Sequence, residues 1–139
     1  MRAQRGMTLV ELVTAMLVVG ILTAIAVPSY TSYTRKTRRT DAKVALTGTA
    51  QQLERCYTRY YSYTNGACAV VLPYTTTNGT YTIDADAAAA PTPGVTVNSF
   101  ALKATPQGKQ VLDTQCGTFT LNQANVQGVS GGGGAAVCW

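Results

Sequence analysis

Arg5-Gly6-Met7-Thr8-Leu9-Val10-Glu11-Leu12 opens an apolar run from Met7 to Tyr30 in which Glu11 is the sole charge. As a helix, these 24 residues would extend about 36 Å at 1.5 Å per residue, enough to cross a hydrocarbon core of ~30 Å. A carboxylate inside such a segment is costly, about 2.5–3.5 kcal/mol at the centre of a membrane helix and less near an end. A segment that only anchors or exports a chain has no use for it, so Glu11 is a functional candidate whose partner must be found.

The rest of the charge is unevenly spread. The 139 residues carry 11 Lys and Arg against 6 Asp and Glu, a net +5. Arg2 and Arg5 lie in the leader, and Arg35, Lys36, Arg38, Arg39 and Lys43 against Asp41 follow the apolar run. From Val44 onward Arg55, Arg59, Lys103 and Lys109 balance Glu54, Asp84, Asp86 and Asp113. The C-terminal domain is therefore neutral, and its basic partners in sequence sit at its entrance. The cluster Arg35-Lys36-Thr37-Arg38-Arg39 reads as a solvated face, with anionic lipid headgroups or neighbouring chains as its other candidate contacts.

Cys56, Cys68, Cys116 and Cys138 all follow the apolar run. Four cysteines behind an export-type N-terminus predict two disulfides in an oxidising compartment. Three pairings are open; the sequence-adjacent one closes two loops worth about 3 kcal/mol each in the chain-entropy account. For so small a domain that is a sizeable share of its stability. The chain has no His and no CxxC spacing, which weakens zinc and thioredoxin-like readings. With no Ser or Thr beside an obvious base, an enzyme is not expected, nor is a cofactor or metal. Asp84 and Asp86 alternate on one strand face and read as solvated surface rather than an acid–base pair.

The apolar run has three readings. A secretory signal would use Arg2 and Arg5 as its positive region and Ala24-Ile25-Ala26 as its cleavage site; a plain signal anchor would simply stay in the membrane. Both leave Glu11 unexplained. The third is a resemblance: a basic leader, Gly6, then Met-Thr-Leu-Val-Glu-Leu and a long apolar helix is similar to the type IV prepilins, with Met7 where Phe is usual. Gly20 and Pro28 also fall where many pilins weaken this helix. The resemblance implies that a membrane prepilin peptidase removes residues 1–6 on the cytoplasmic side, cutting between Gly6 and Met7 and methylating the new amine of Met7. Residues 7–30 would then form the transmembrane and filament-core helix, and residues 31–139 a periplasmic headgroup that includes the helix's second half. In such proteins the carboxylate at Glu11 of an incoming subunit pairs with the Met7 amine of the subunit ahead. An unpaired buried charge is strongly penalised, so a one-turn offset is favoured and an unclosed head-to-tail contact grows a filament. The cations after the apolar run oppose an N-inside orientation by the positive-inside rule, whereas the leader and the expected disulfides favour it.

Beyond Pro28, which should kink the helix without ending it, Ala42, Leu46, Ala50, Leu53, Tyr57 and Tyr60 form one apolar stripe to about Tyr60. Tyr57, Tyr60, Tyr61 and Tyr63 near Arg55 and Arg59 could stack single-stranded nucleic acid, although packing on a sheet is the commoner use of such tyrosines. Asn65-Gly66 and Asn78-Gly79 are turn signals. Strands are expected at Thr80–Asp84, Val95–Thr105 and Cys116–Leu121, with a short one at Lys109–Asp113. Ala87 to Gly94 reads as a loop, and Gly131 to Gly134 as a flexible tract held by closure of Cys116 onto Cys138. The fold class is α+β: a long N-terminal helix packed on a small antiparallel sheet with a disulfide-bounded C-terminal loop.

Lys103-Ala104-Thr105-Pro106, Cys116-Gly117-Thr118-Phe119-Thr120-Leu121-Asn122-Gln123 and a glycine-rich stretch ending Cys138-Trp139 resemble the C-terminus of PilE-type minor pilins, a group that includes competence pilins. Cys56–Cys68 would be an addition to the commoner single bridge. The resemblance implies the type IV pilin fold and a structural subunit for pilus assembly, adhesion or twitching motility. Its partners would be other pilins in a helical filament, the peptidase, the inner-membrane assembly machinery and membrane lipid before assembly, with the cell-surface pilus as destination. A DNA-binding competence pilin is the competing class, and the neutral headgroup argues against it, because phosphate neutralisation needs clustered cations. A secretion-system pseudopilin shares the N-terminus but not the C-terminal loop.

Overall fold

The computed structural model describes residues 6–68, 70–89, 91 and 94–139. The leader cations Arg2 and Arg5 lie outside the described residues, as do Ala69 and, in the alanine–proline loop, Ala90, Thr92 and Pro93. The chain divides into two units between Thr34 and Arg35.

In the first unit, helix α1 (Leu9–Tyr60) begins and runs on without ending at Pro28. Its hydroxyls are consumed locally. Thr14 donates to the carbonyls of Val10 and Glu11 at 3.0 Å, Thr23 to Val19, and Thr31 to Pro28 at 2.9 Å. Back-bonding of this kind lets a threonine sit in an apolar stretch without an open donor.

In the second unit, α1 buries Arg39, Ala42, Leu46, Thr49, Leu53 and Cys56. That stripe steps by three and four, as a helix packed on one side must. It differs from the expected apolar stripe. Ala50 and Tyr57 only flank the core, Tyr60 is exposed, and Arg39 and Thr49 take buried places instead. Thr49 can do so because its hydroxyl bonds the Ala45 carbonyl and the Tyr74 hydroxyl, at 2.9 and 2.7 Å.

The stripe faces a five-stranded antiparallel meander in the order β1 (Tyr74–Thr75), β2 (Tyr81–Ala85), β3 (Ala101–Pro106), β4 (Phe119–Asn122), β5 (Gln127–Val129). Register sets Ile83 opposite Ala104 and Leu102 opposite Leu121, so alternate residues of three strands point at the helix. Tyr81, Ile83, Leu102, Ala104 and Phe119 are fully buried. Helix on one sheet face is the expected α+β layer.

Three expected elements are corrected. Lys109–Asp113 is not a strand: Gly108–Leu112 is a 3-10 turn, entered through Gly108 at φ +54°, and it turns Gln110 fully inward. Val95–Thr105 is not one strand either. Thr96 and Ser99 bond each other through backbone and hydroxyls, which folds residues 95–100 into a tight turn closed by the Val95–Phe100 bridge before β3 starts. The strand expected from Cys116 begins only at Phe119, since Gly117 holds φ +62°. Strands β1 and β5 and the terminal turn of helix α2 (Ala135–Cys138) carry too few residues to show a period.

The glycine tract is packed, not merely tethered. Gly131 and Gly133 donate to the carbonyls of Cys116 and Gln115 at 3.0 and 2.7 Å, and a Cβ at Gly131 would strike the Gln115 backbone. Cys116 joins Cys138 with Cα atoms 5.7 Å apart. Trp139 then donates its indole N–H to the Gly128 carbonyl at 2.9 Å and sets its ring edge-on to Phe119. The second bridge, Cys56 to Cys68, ties the last turn of α1 to the following loop, Cα to Cα 5.6 Å.

Candidate functional site

The N-terminal candidates are positioned by the start of α1. Thr8 is the residue before the helix, and its hydroxyl accepts from the Glu11 amide at 3.3 Å, while its carbonyl accepts from Leu12 at 3.2 Å. Thr8-Leu9-Val10-Glu11 is the Ser/Thr-x-x-Glu capping pattern, a signal present in the sequence beside the intramembrane reading of Glu11. A carboxylate in the first helical turn also meets the positive end of the helix dipole. The helix start therefore favours a carboxylate at Glu11, and among the described residues that carboxylate enters no ion pair. Gly6, Met7 and every residue from Leu9 to Thr31 are exposed. The helix contains an 18-residue window of mean hydropathy 2.4, none of it buried, long and apolar enough to cross a membrane. The large apolar side chains from Met7 to Tyr30 are all exposed, and such a surface needs a covering.

In the second unit the structure reveals a charge centre that sequence reasoning split in two. Arg39 is not part of a solvated face. Its Nε and Nη2 donate to the two Asp113 carboxylate oxygens at 2.7 and 2.8 Å, and Nη2 also reaches Gln115 Oε1 at 2.9 Å. Both side chains are nearly closed off, at 9% and 2% exposure. The hydrogen bond that the guanidinium donates to Asp113 holds it above its ordinary pKa, against the opposing effect of burial. Gln110 joins the cluster by donating to Asp113 Oδ2 and the Tyr81 hydroxyl at 3.1 Å each, and to the Arg35 carbonyl at 3.4 Å. Its own Oε1 is buried without a partner among the described residues. Burial pushes the Tyr81 hydroxyl up to about 12. No periodicity links positions 39 and 113. The one available signal was an arginine falling in register with Ala42 and Leu46.

The tyrosine cluster is split. Tyr63 stacks on Tyr57 at 4.6 Å and meets Phe100 edge-on, and its hydroxyl donates to Glu54 at 3.1 Å; burial first, and that bond second, raise it to about 12. Tyr61 stays exposed. An open cleft of about 880 Å³ lies between the last turns of α1 and the Cys56–Cys68 loop, with Arg55, Arg59, Tyr60 and Val70 in its wall. Asp84 and Asp86 serve their own backbone, accepting from Ala85 and Ala88 at 2.7 and 3.2 Å. Among the described residues no three acidic or cysteine side chains gather as a metal site.

Comparison with known proteins bears on both units. Residues 1–27 match the prokaryotic N-terminal methylation motif. Residues 28–120 match the family described as type IV minor pilin ComP, DNA uptake sequence receptor. Two fimbrial proteins of Pseudomonas aeruginosa are each 50% identical over 42 residues, 30% of this chain; the match spans only 27% of their length. A solved type IV pilin from Shewanella oneidensis is 29% identical, covering 67% of this chain and 89% of that one, with a TM-score of 0.43. With the ComP profile spanning well over half of its length, the chain belongs to the type IV minor pilin family.

Proposed function

We propose that the protein is a minor structural subunit of a type IV pilus, held in the membrane by residues 7–30 before assembly and packed by them into the filament core afterwards. The observation that carries this reading is the uncovered apolar helix with a carboxylate at Glu11 that has no ion-pair partner among the described residues. Cutting between Gly6 and Met7 creates an α-amine one turn before that carboxylate. In a low-dielectric filament core the charge must be matched, and the Met7 amine of a neighbouring subunit supplies the match. The disulfides harden the headgroup, and no step of this function requires catalysis. The intact mass and first residue of the mature chain test the processing step. An N-methylated Met7 is expected; a chain beginning at Val27 would return the segment to a secretory signal and end the reading.

A DNA-capturing role is the second reading, favoured by the description attached to the matched family. Pairing of Arg39 with Asp113 weakens it, because it removes one cation from the surface. Titration of the purified protein with DNA at two salt concentrations decides: micromolar or tighter binding that falls steeply with salt supports capture, and salt-independent or absent binding ends it.

A further inference from the structure

The 3-10 turn that buries Gln110 leaves its neighbours outside. Val111 and Leu112 are 59% and 62% exposed, and Lys109 beside them is exposed as well. Gln110 places this turn in the headgroup, because its amide reaches the carbonyl of Arg35, the first residue of that unit and only five positions beyond Tyr30, where the apolar run ends. Arg35 and Arg38 lie one turn apart on α1, with Lys36 between them. Of the carboxylates at hand, Asp113 is buried against Arg39, while Asp41 is held by the neutral side chains of Asn78 and Thr80 at 3.0 Å and offsets a single charge, so the four cations remain in excess. Two neighbouring exposed apolar side chains, with Lys109 beside them in the turn and Arg35, Lys36 and Arg38 on the stretch of α1 that the turn's Gln110 reaches, are the composition of a surface that dips into a lipid interface, apolar tips in the acyl boundary and cations at the headgroups.

We infer that Val111 and Leu112, together with Arg35, Lys36, Arg38 and Lys109, seat the headgroup on an anionic lipid surface before the subunit is extracted. The inference rests on residues 7–30 lying in the bilayer. Charge complementarity selects lipid over a second copy of this chain, whose own patch carries the same excess of positive charge. Seating would also fix the headgroup's height and orientation at the membrane, so that extraction breaks a defined contact.

The test uses the full chain, oxidised and reconstituted in phosphatidylethanolamine vesicles with and without phosphatidylglycerol. An environment-sensitive fluorophore is placed in turn at Val111→Cys, at Val126→Cys on the β4–β5 turn, and at Leu22→Cys within the apolar helix. The Val111 probe is expected to be quenched several-fold more than the Val126 probe by shallow lipid-borne quenchers in anionic vesicles. High salt, or Gln in place of Arg35, Lys36, Arg38 and Lys109, should remove the difference. A water-exposed Val111 probe with a deeply quenched Leu22 probe overturns the seating and leaves the membrane segment standing. A water-exposed Leu22 probe overturns both. Protection of Val111 that grows only with the protein-to-lipid ratio assigns the patch to a second copy, which also overturns the proposal.

Discussion

One helix carries two charges in apolar company, and they are handled in opposite ways. Arg39 lies on the buried stripe of α1 and is closed off within the chain by Asp113, 74 residues downstream. Glu11 lies in the first turn of the same helix, among exposed aliphatic side chains, with no ion-pair partner among the described residues. A buried charge without its partner costs several kcal/mol, so an internal pair such as Arg39–Asp113 is a constraint on folding. Under the proposed function, a charge left open on an uncovered apolar helix is a constraint on association: whatever covers the helix would also bring the opposite charge. The difference separates what makes the headgroup one structure from what makes the chain part of a larger one.

The sharpest way to break the comparison is to neutralise each charge and ask which process fails. Glu11→Gln keeps the size of the side chain and removes the need for a cation. It should leave the headgroup's thermal unfolding unchanged and cleavage after Gly6 intact, while incorporation into sheared filaments falls to trace levels. Filaments containing the variant in normal amounts would show that Glu11 serves the helix start alone, as its place in the Thr8-x-x-Glu11 cap allows.

Arg39→Met or Asp113→Asn should do the reverse. Each leaves one member of a buried pair without its counterpart, at a cost of about 3–5 kcal/mol, read as a lowered urea midpoint. The Arg39→Met/Asp113→Leu double variant should recover much of the loss, since replacing a buried pair by apolar residues is often neutral. If both single variants unfold like the native chain, the pair is a surface contact and the contrast with Glu11 disappears.

How much of this could be read from the sequence differs in the same way between the two regions. The long helix and its end near Tyr60 were legible, because each rests on local chemistry: an apolar run and a three–four stripe. The core of the sheet was legible wherever alternation survived, as in Tyr81 and Ile83. The turn at Gly108–Leu112 was not. Val111 and Leu112 look like strand residues, and only the inward pull of Gln110 toward Asp113, Tyr81 and Arg35 makes them turn residues. Arg39 was misplaced for the same reason: in a run of cations nothing local distinguishes the one that a distant aspartate will claim. The candidate assembly residues are proposed from a short motif within one stretch of chain, whereas the polar cluster exists only once the chain is folded.

The smallest expected effect refines the internal half of the comparison. Tyr81 is fully buried, and its hydroxyl accepts the Gln110 amide that also serves Asp113. Tyr81→Phe removes one acceptor and leaves the Arg39–Asp113 contact itself in place, so it should cost on the order of 1 kcal/mol near neutral pH. The same substitution should change the alkaline limb of the stability curve. Burial raises the tyrosine from its ordinary value near 10 to about 12, so between those values the unfolded chain ionises and the folded one does not. The contribution of this group is full below about pH 10 and declines as pH rises toward about 12. Tyr63, raised to about 12 as well, titrates over the same interval, so the phenylalanine variant should flatten the decline without abolishing it. An unchanged alkaline slope in Tyr81→Phe would mean that the hydroxyl is wet, and that the cluster around Arg39 opens to solvent more readily than its packing implies.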